Sequence, residues 1–272
     1  MSSTVWQKHS YKIPLTYMID TLLREYDLSK ANISVLRDYD VLSEEQYQYF
    51  MTCPKLEREI AIGKLQGRDS KVTQILKEGI AQAKRIFMER NGIDDNEVFA
   101  IINDAMIIIG DKQINHLDVS EHLKFRLDGT FTSYMRLKNI DLYYYYNRAY
   151  GDERITNRGL GEQASELHRK FMIEFISEIF YSTQIDGVKT SISLLQNVHQ
   201  QYLNRELEVG YYREFNSQAL YRLIDSLCPK YSGPYYQVDA IEYDKSFIDI
   251  SYNESLLREI NGILASIYFG KR

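Results

Sequence analysis

Cysteine is close to absent from this 272-residue chain, and the two present, Cys53 and Cys228, stand far apart with no CxxC or Cys/His spacing. That argues against a zinc site or a disulfide framework and points to a reducing compartment. Proline (4) and glycine (14) are also scarce, while 44% of residues are apolar and 26% charged, so the chain is globular rather than disordered or fibrous. No apolar stretch approaches the roughly 20 residues of a membrane span. Met1–Lys8 holds no apolar signal core. The expectation is a cytoplasmic protein with no membrane partner.

Several common chemistries lack their motifs. His9, His116, His122, His168 and His199 form no HExxH or i, i+4 pair. A nucleophile elbow and a glycine-rich phosphate loop are missing as well. Asp94-Asp95-Asn96-Glu97 has neither the glycine nor the terminal Glu spacing of a calcium loop and reads as a solvated turn. The net charge of −5 gives no global basic footprint for nucleic acid. Residues 1–150 are near neutral, with 20 Lys and Arg against 21 Asp and Glu, and a local cluster of cations runs from Lys55 through Arg58, Lys64, Arg68, Lys71, Lys77, Lys84 and Arg85 to Arg90.

What is present is a clear alternation of element types. Ser43-Glu44-Glu45-Gln46 is a capping-box pattern opening a helix, Pro54 starts a second helix, and a third spans Ser70 to Arg90 with Val72, Ile75, Leu76, Ile80, Ala83 and Phe87 at helical spacing before Asn91-Gly92. Ser29 is the expected N-cap of an earlier helix. Asp128-Gly129, between His122–Leu127 and Thr130–Leu137, predicts a hairpin, and Ile140 to Tyr146 predicts a further strand. Four consecutive tyrosines, Tyr143 to Tyr146, put two rings on each strand face and are expected to serve packing; so is the cluster at Tyr211-Tyr212-Arg213-Glu214-Phe215. Beyond Tyr150, amphipathic runs at Gln163–Thr183, Val188–Glu206, Gln218–Leu227 and Glu254–Phe269 predict helices. The predicted class is α+β, with an α+β region over residues 1–150 and a helical region over 151–272.

Two acids stand out. Leu22-Leu23-Arg24-Glu25-Tyr26 predicts a strand ending at Asp27, and Asp104 sits with Asn103 at the bend of an isoleucine-rich hairpin, Ala100 to Ile109. The order of strand ending in Asp27, helices, hairpin tipped by Asp104, second hairpin and helical C-terminal region resembles the palm, fingers, palm and thumb of family A and family B DNA polymerases of phage type. In those families the first palm motif is an Asp at a strand end followed by a short helical segment, which Asp27-Leu28-Ser29-Lys30-Ala31-Asn32-Ile33 resembles. The second is an Asp in a hairpin turn, matched by Asn103-Asp104-Ala105.

The resemblance implies nucleotidyl transfer with Asp27 and Asp104 as catalytic metal ligands, Mg2+ or Mn2+ as cofactor, and nucleic acid as partner. Two divalent ions about 3.5 to 4 Å apart clamp the attacking and leaving oxygens of such a reaction, and carboxylates from separate strands bridge them. It also implies triphosphate binding by cations on the intervening helices, with Arg58, Lys64 and Lys71 as the candidates. No exonuclease region precedes the palm-like elements, so the resemblance implies either a partner chain or a reduced design. The alternative expectation is a non-enzymatic interaction protein, an inhibitor or assembly subunit, in which both acids are structural.

Overall fold

The computed structural model of the protein describes residues 9–11, 17–138, 140–159, 169–212 and 251–270. The chain divides into two compact units, one made of Met1–Pro14 and Leu22–Thr130, the other of Leu15–Thr21 and Phe131–Arg272. The observed class is α+β, as expected from the sequence.

The first unit is built on a five-stranded sheet. Its strands are β1 (His9–Tyr11), β3 (Leu23–Leu28), β4 (Val98–Ile102), β5 (Ala105–Ile109) and β6 (Phe125–Phe131), in the order β1-β4-β5-β3-β6. Between β3 and β4 the chain forms four helices, α1 (Ala31–Asp38), α2 (Glu44–Thr52), α3 (Lys55–Arg68) and α4 (Ser70–Arg90). Both β3 and β4 run antiparallel to β5 and are therefore parallel to each other, with the second strand of the hairpin inserted between them. This is a crossover of two parallel strands through helices, split by β5.

Local chemistry accounts for the elements. Isoleucine and valine fill β4 and β5, which suits strands buried along most of their length. Asn103 takes φ 53° at the turn, a left-handed conformation that Asn tolerates better than most residues. The capping box at Ser43 is formed: its hydroxyl accepts from the Gln46 amide at 3.2 Å, and Gln46 Oε1 accepts from the Ser43 amide at 3.0 Å. Helix α4 spans the predicted residues and stops at Asn91-Gly92, where Gly92 takes φ 58°. Ser29 does not cap α1; Lys30 occupies that position in a left-handed conformation, without a side-chain bond to the helix.

One face of this sheet packs on the helices. Tyr26, Leu28, Ile101, Met106, Ile108 and Phe125 join Val35, Leu36, Val72, Leu76, Ala83 and Phe87 in a single core. The Phe87 ring lies 4.3 Å from Phe125 and 5.5 Å from Tyr26, centroid to centroid. Gly79 lets α4 approach α1, because a Cβ there would fall 2.3 Å from Val35 Cγ1.

The Asp128-Gly129 hairpin is not formed. Strand β6 runs straight through both residues beside β3, and Gly129 lacks the positive φ that a tight hairpin turn would demand. Pairing along β3 overrides the local turn preference. The chain bends instead at Thr132, and β7 (Ser133–Leu137) pairs with other strands.

The second unit carries a four-stranded sheet in the order β2 (Tyr17–Met18), β7, β8 (Ile140–Asn147) and β9 (Asp152–Arg158). Its helical part comprises a π-helical turn at Lys170–Phe175, then α5 (Ile176–Ile185), α6 (Val188–Leu203) and α7 (Ser251–Gly270). Leu142, Tyr144, Phe175, Phe180, Leu195 and Ile260 share its core. The tyrosine run packs as expected: Tyr143 and Tyr144 are fully buried, and the Tyr144 ring stacks on Phe180 at 5.1 Å. Strand β9 escapes a hydrophobic-pattern reading because it is an edge strand with mostly exposed residues. The predicted helix Gln218–Leu227, the turn-rich segment after it, Cys228 and residues 163–168 lie outside the described residues. Among the described residues no helix is long and apolar enough to cross a membrane.

Candidate functional site

Strand alternation decides where Asp27 points. Tyr26 and Leu28 enter the helix-packed core, so Leu23, Glu25 and Asp27 face the opposite side of the sheet. Asp27 sits across from Ala105, and the Leu28 amide donates to the Asp104 carbonyl at 3.3 Å. The end of β3 and the tip of the β4–β5 hairpin therefore meet, and the two predicted acids are brought together. Partial burial pushes the Asp27 carboxyl above the usual carboxylate range, and the negative charges of Asp104 and Asp128 push it the same way, against the pull of Arg126.

Arg126 is the counter-charge at this edge. Its Nη2 lies 3.2 Å from Asp27 Oδ2 and 3.2 Å from Asp128 Oδ1, joining the open faces of β3 and β6. Below the hairpin, Lys84 of α4 is buried and its Nζ donates to the main-chain carbonyl of Asn103. Burial pulls the Lys84 ammonium down to about 8, while the neighbouring Asp104 charge opposes that fall.

A family model described as Bacteriophage PBS1 gene 130 protein matches residues 1–264 of the sequence. The chain belongs to this family. The family description makes this a phage-type protein, and no curated protein matches the sequence.

In this gene 130 family chain the three predicted triphosphate ligands do not join the acids. Arg58 donates through Nη1 to the Cys53 carbonyl at 2.6 Å, closing the end of α2. Lys64 and Lys71 are exposed on α3 and at the start of α4. Lys71 lies roughly 20 Å along the helix axis from Lys84, the residue that reaches the hairpin turn.

Lys84 and Arg126 were not singled out from the sequence as site residues. Lys84 had a signal: Ile80, Ala83, Lys84 and Phe87 follow i, i+3, i+4, i+7 spacing, which places a cation on the buried face of α4. Arg126 was hidden by the mistaken hairpin, which removed its pairing with β3.

At this edge of the gene 130 family fold Asp27 and Asp104 carry the carboxylates, and a guanidinium rests on the first of them. Among the described residues no group of three or more His, Cys, Asp or Glu side chains is arranged to hold a metal ion. A hollow of about 610 Å³ lies elsewhere, in the second unit, lined by Tyr146, Tyr181, Glu153, Glu174 and Glu178. Two of its acids already have partners: Glu153 accepts from the Tyr144 hydroxyl and Glu174 pairs with Lys170. The carboxylate pair is the stronger candidate because it combines two acids that feel each other's charge, a perturbed carboxyl and a buried lysine.

Proposed function

We propose that the first unit is a polymerase-palm-like core for divalent-metal-dependent nucleotidyl transfer, with Asp27 and Asp104 as the metal ligands. The observation that carries this reading is the register of Asp27 with Ala105, which sets a strand-end acid beside a hairpin-turn acid on a split crossover. Mg2+ or Mn2+ bound there would supply Lewis-acid polarisation of a phosphoryl oxygen and a more acidic attacking hydroxyl. The chain's own residues do the positioning: Lys84 fixes the turn that presents Asp104, and the β3–β5 ladder fixes Asp27.

The test is Mn2+ binding to the wild type, Asp27→Asn and Asp104→Asn, with circular dichroism confirming the fold. Both variants are expected to lose at least tenfold in affinity, and wild type alone should incorporate nucleotides in a primer-extension assay. Equal Mn2+ affinity in all three proteins would discard the metal role.

A protein-contact function is the second reading, favoured by the exposed Tyr49 on α2 and the exposed Leu56 and Ile60 on α3. Under it, Asp104→Asn is silent in infection, while Leu56→Asp weakens association with a partner chain.

A further inference from the structure

We propose that the outer face of α3 is a self-association surface, on which a second copy of this chain docks antiparallel and two-fold symmetric. This rests on the protein-contact reading of Leu56 and Ile60, whose occupant it names, and is independent of the carboxylates. Leu56, Ile60, Gly63 and Gly67 follow i, i+4, i+7 and i+11 spacing, so they line one stripe of the helix, turned away from its buried residue Ile62. All four are exposed, Leu56 to 68% and Ile60 to 50%. Among the described residues nothing requires the two glycines: neither takes a positive φ, and a Cβ at either would meet nothing within 4 Å. Glycine is the poorest helix former after proline, so two of them on one exposed stripe point to close approach by a backbone from outside the chain.

The stripe matches its own reverse. A two-fold axis passing between Ala61 and Ile62 sets Leu56 of one copy against Gly67 of the other, and Ile60 against Gly63, so each large side chain fills the space over a glycine. These are the a–d layers of an antiparallel helix pair, with knobs seated in holes of the facing helix. Charge selects the same arrangement. Glu57 and Lys64 are exposed on one flank of the stripe, and the axis brings Glu57 of each copy beside Lys64 of the other, giving two contacts of opposite charge. A parallel pair would instead stack Leu56 on Leu56 and leave a gap at the glycines. The apolar surface continues past the start of α3 to the exposed Tyr49, which lies within electrostatic reach of Glu57. A helix pair about 20 Å long covers less than the roughly 800 Å² per partner of a standard interface, so the dimer is a weak one.

Sedimentation equilibrium of the full chain, from about 1 μM to about 1 mM, reads the association directly, with circular dichroism confirming the fold of each variant. Wild type is expected to show a concentration-dependent equilibrium of monomer and dimer. Leu56→Asp and Gly63→Leu should each weaken it at least tenfold. Gly63→Leu should do so while leaving the thermal midpoint level or higher, since leucine is the better helix former and its Cβ has open space. Glu57→Lys and Lys64→Glu should each weaken the dimer about tenfold, because each reverses two symmetry-related contacts. The double reversal, Glu57→Lys with Lys64→Glu, should restore it, which exchanging charges against a partner of other sequence would not do. A wild type that is monomeric throughout, a dimer indifferent to Leu56→Asp or Gly63→Leu, or a double reversal as weak as the single ones overturns the proposal. In any of these cases an infection defect in Leu56→Asp keeps the face as a contact for a different chain, whereas its absence removes the protein-contact reading as well.

Discussion

Lys84 Nζ donates to the main-chain carbonyl of Asn103, the residue before Asp104 in the β4–β5 turn. A buried ammonium is a costly way to fix a turn, and the depression from 10.5 to about 8 corresponds to roughly 3 kcal/mol of unfavourable burial at neutral pH. The folded pKa lies below the unfolded one, so the unfolded chain holds more protons between them. Stability attributable to Lys84 therefore rises as pH climbs from about 8 to 10.5. Urea unfolding of wild type and Lys84→Met over that window should show the wild type gaining on the variant; parallel curves would contradict this account.

Gly79 is expected to resist even alanine. A methyl there would fall 2.3 Å from Val35 Cγ1 and 3.1 Å from Tyr39 Cε2, and Val35 is fully buried. Overpacking of this kind costs about 1–3 kcal/mol, against a gain in helix propensity of about 1 kcal/mol. Gly79→Ala should therefore lower the thermal midpoint or leave it level, and a clear rise would show that α1 and α4 yield more easily than their packing implies.

The Asp27 carboxyl provides a ruler for its distance from Asp104. Its folded pKa is raised, so its contribution to stability is present below the unfolded value and is lost as pH rises through the folded one. Asp104→Asn removes one of the charges that raise it, and Asp27 should then titrate lower when followed by carboxyl-carbon NMR. An unshifted titration would place the two side chains out of electrostatic reach.

Much of this unit was legible because its signals are local. The Ser43 box, the Ser70–Arg90 periodicity and the isoleucine hairpin each depend on neighbours within a few residues. Asp27 and Asp104 were legible as a pair through element order, which the pairing of β3 with β5 brings into register. Arg126 and the fate of Asp128-Gly129 depend on which distant strand lies alongside, and that is set by the sheet as a whole. Edge strand β9 shows the same limit from the other side, since a solvated strand carries no apolar alternation to read.

Ser43 offers a control far simpler than the site. Its hydroxyl satisfies one free amide at the start of α2, and Ser43→Ala should cost about 1 kcal/mol without changing Mn2+ affinity. A loss of metal binding in this variant would mean that α2 is coupled to the carboxylate edge.

Tyr144 sets an alkaline limit on the second unit. Burial raises its hydroxyl pKa most, and the hydrogen bond it donates to Glu153 at 2.8 Å raises it further. A folded pKa above the ordinary value of 10.0 means that the native state holds a proton the unfolded chain gives up, so stability is present below pH 10 and is lost as pH rises beyond it. Tyr144→Phe removes that proton while keeping the ring stacked on Phe180. At pH 7 the variant should lose no more than about 1 kcal/mol, since the exposed Glu153 regains water in place of the hydroxyl. Between pH 10 and 11.5 its stability should fall less steeply than that of wild type. Equal slopes would show that other tyrosines, not Tyr144, carry the alkaline transition.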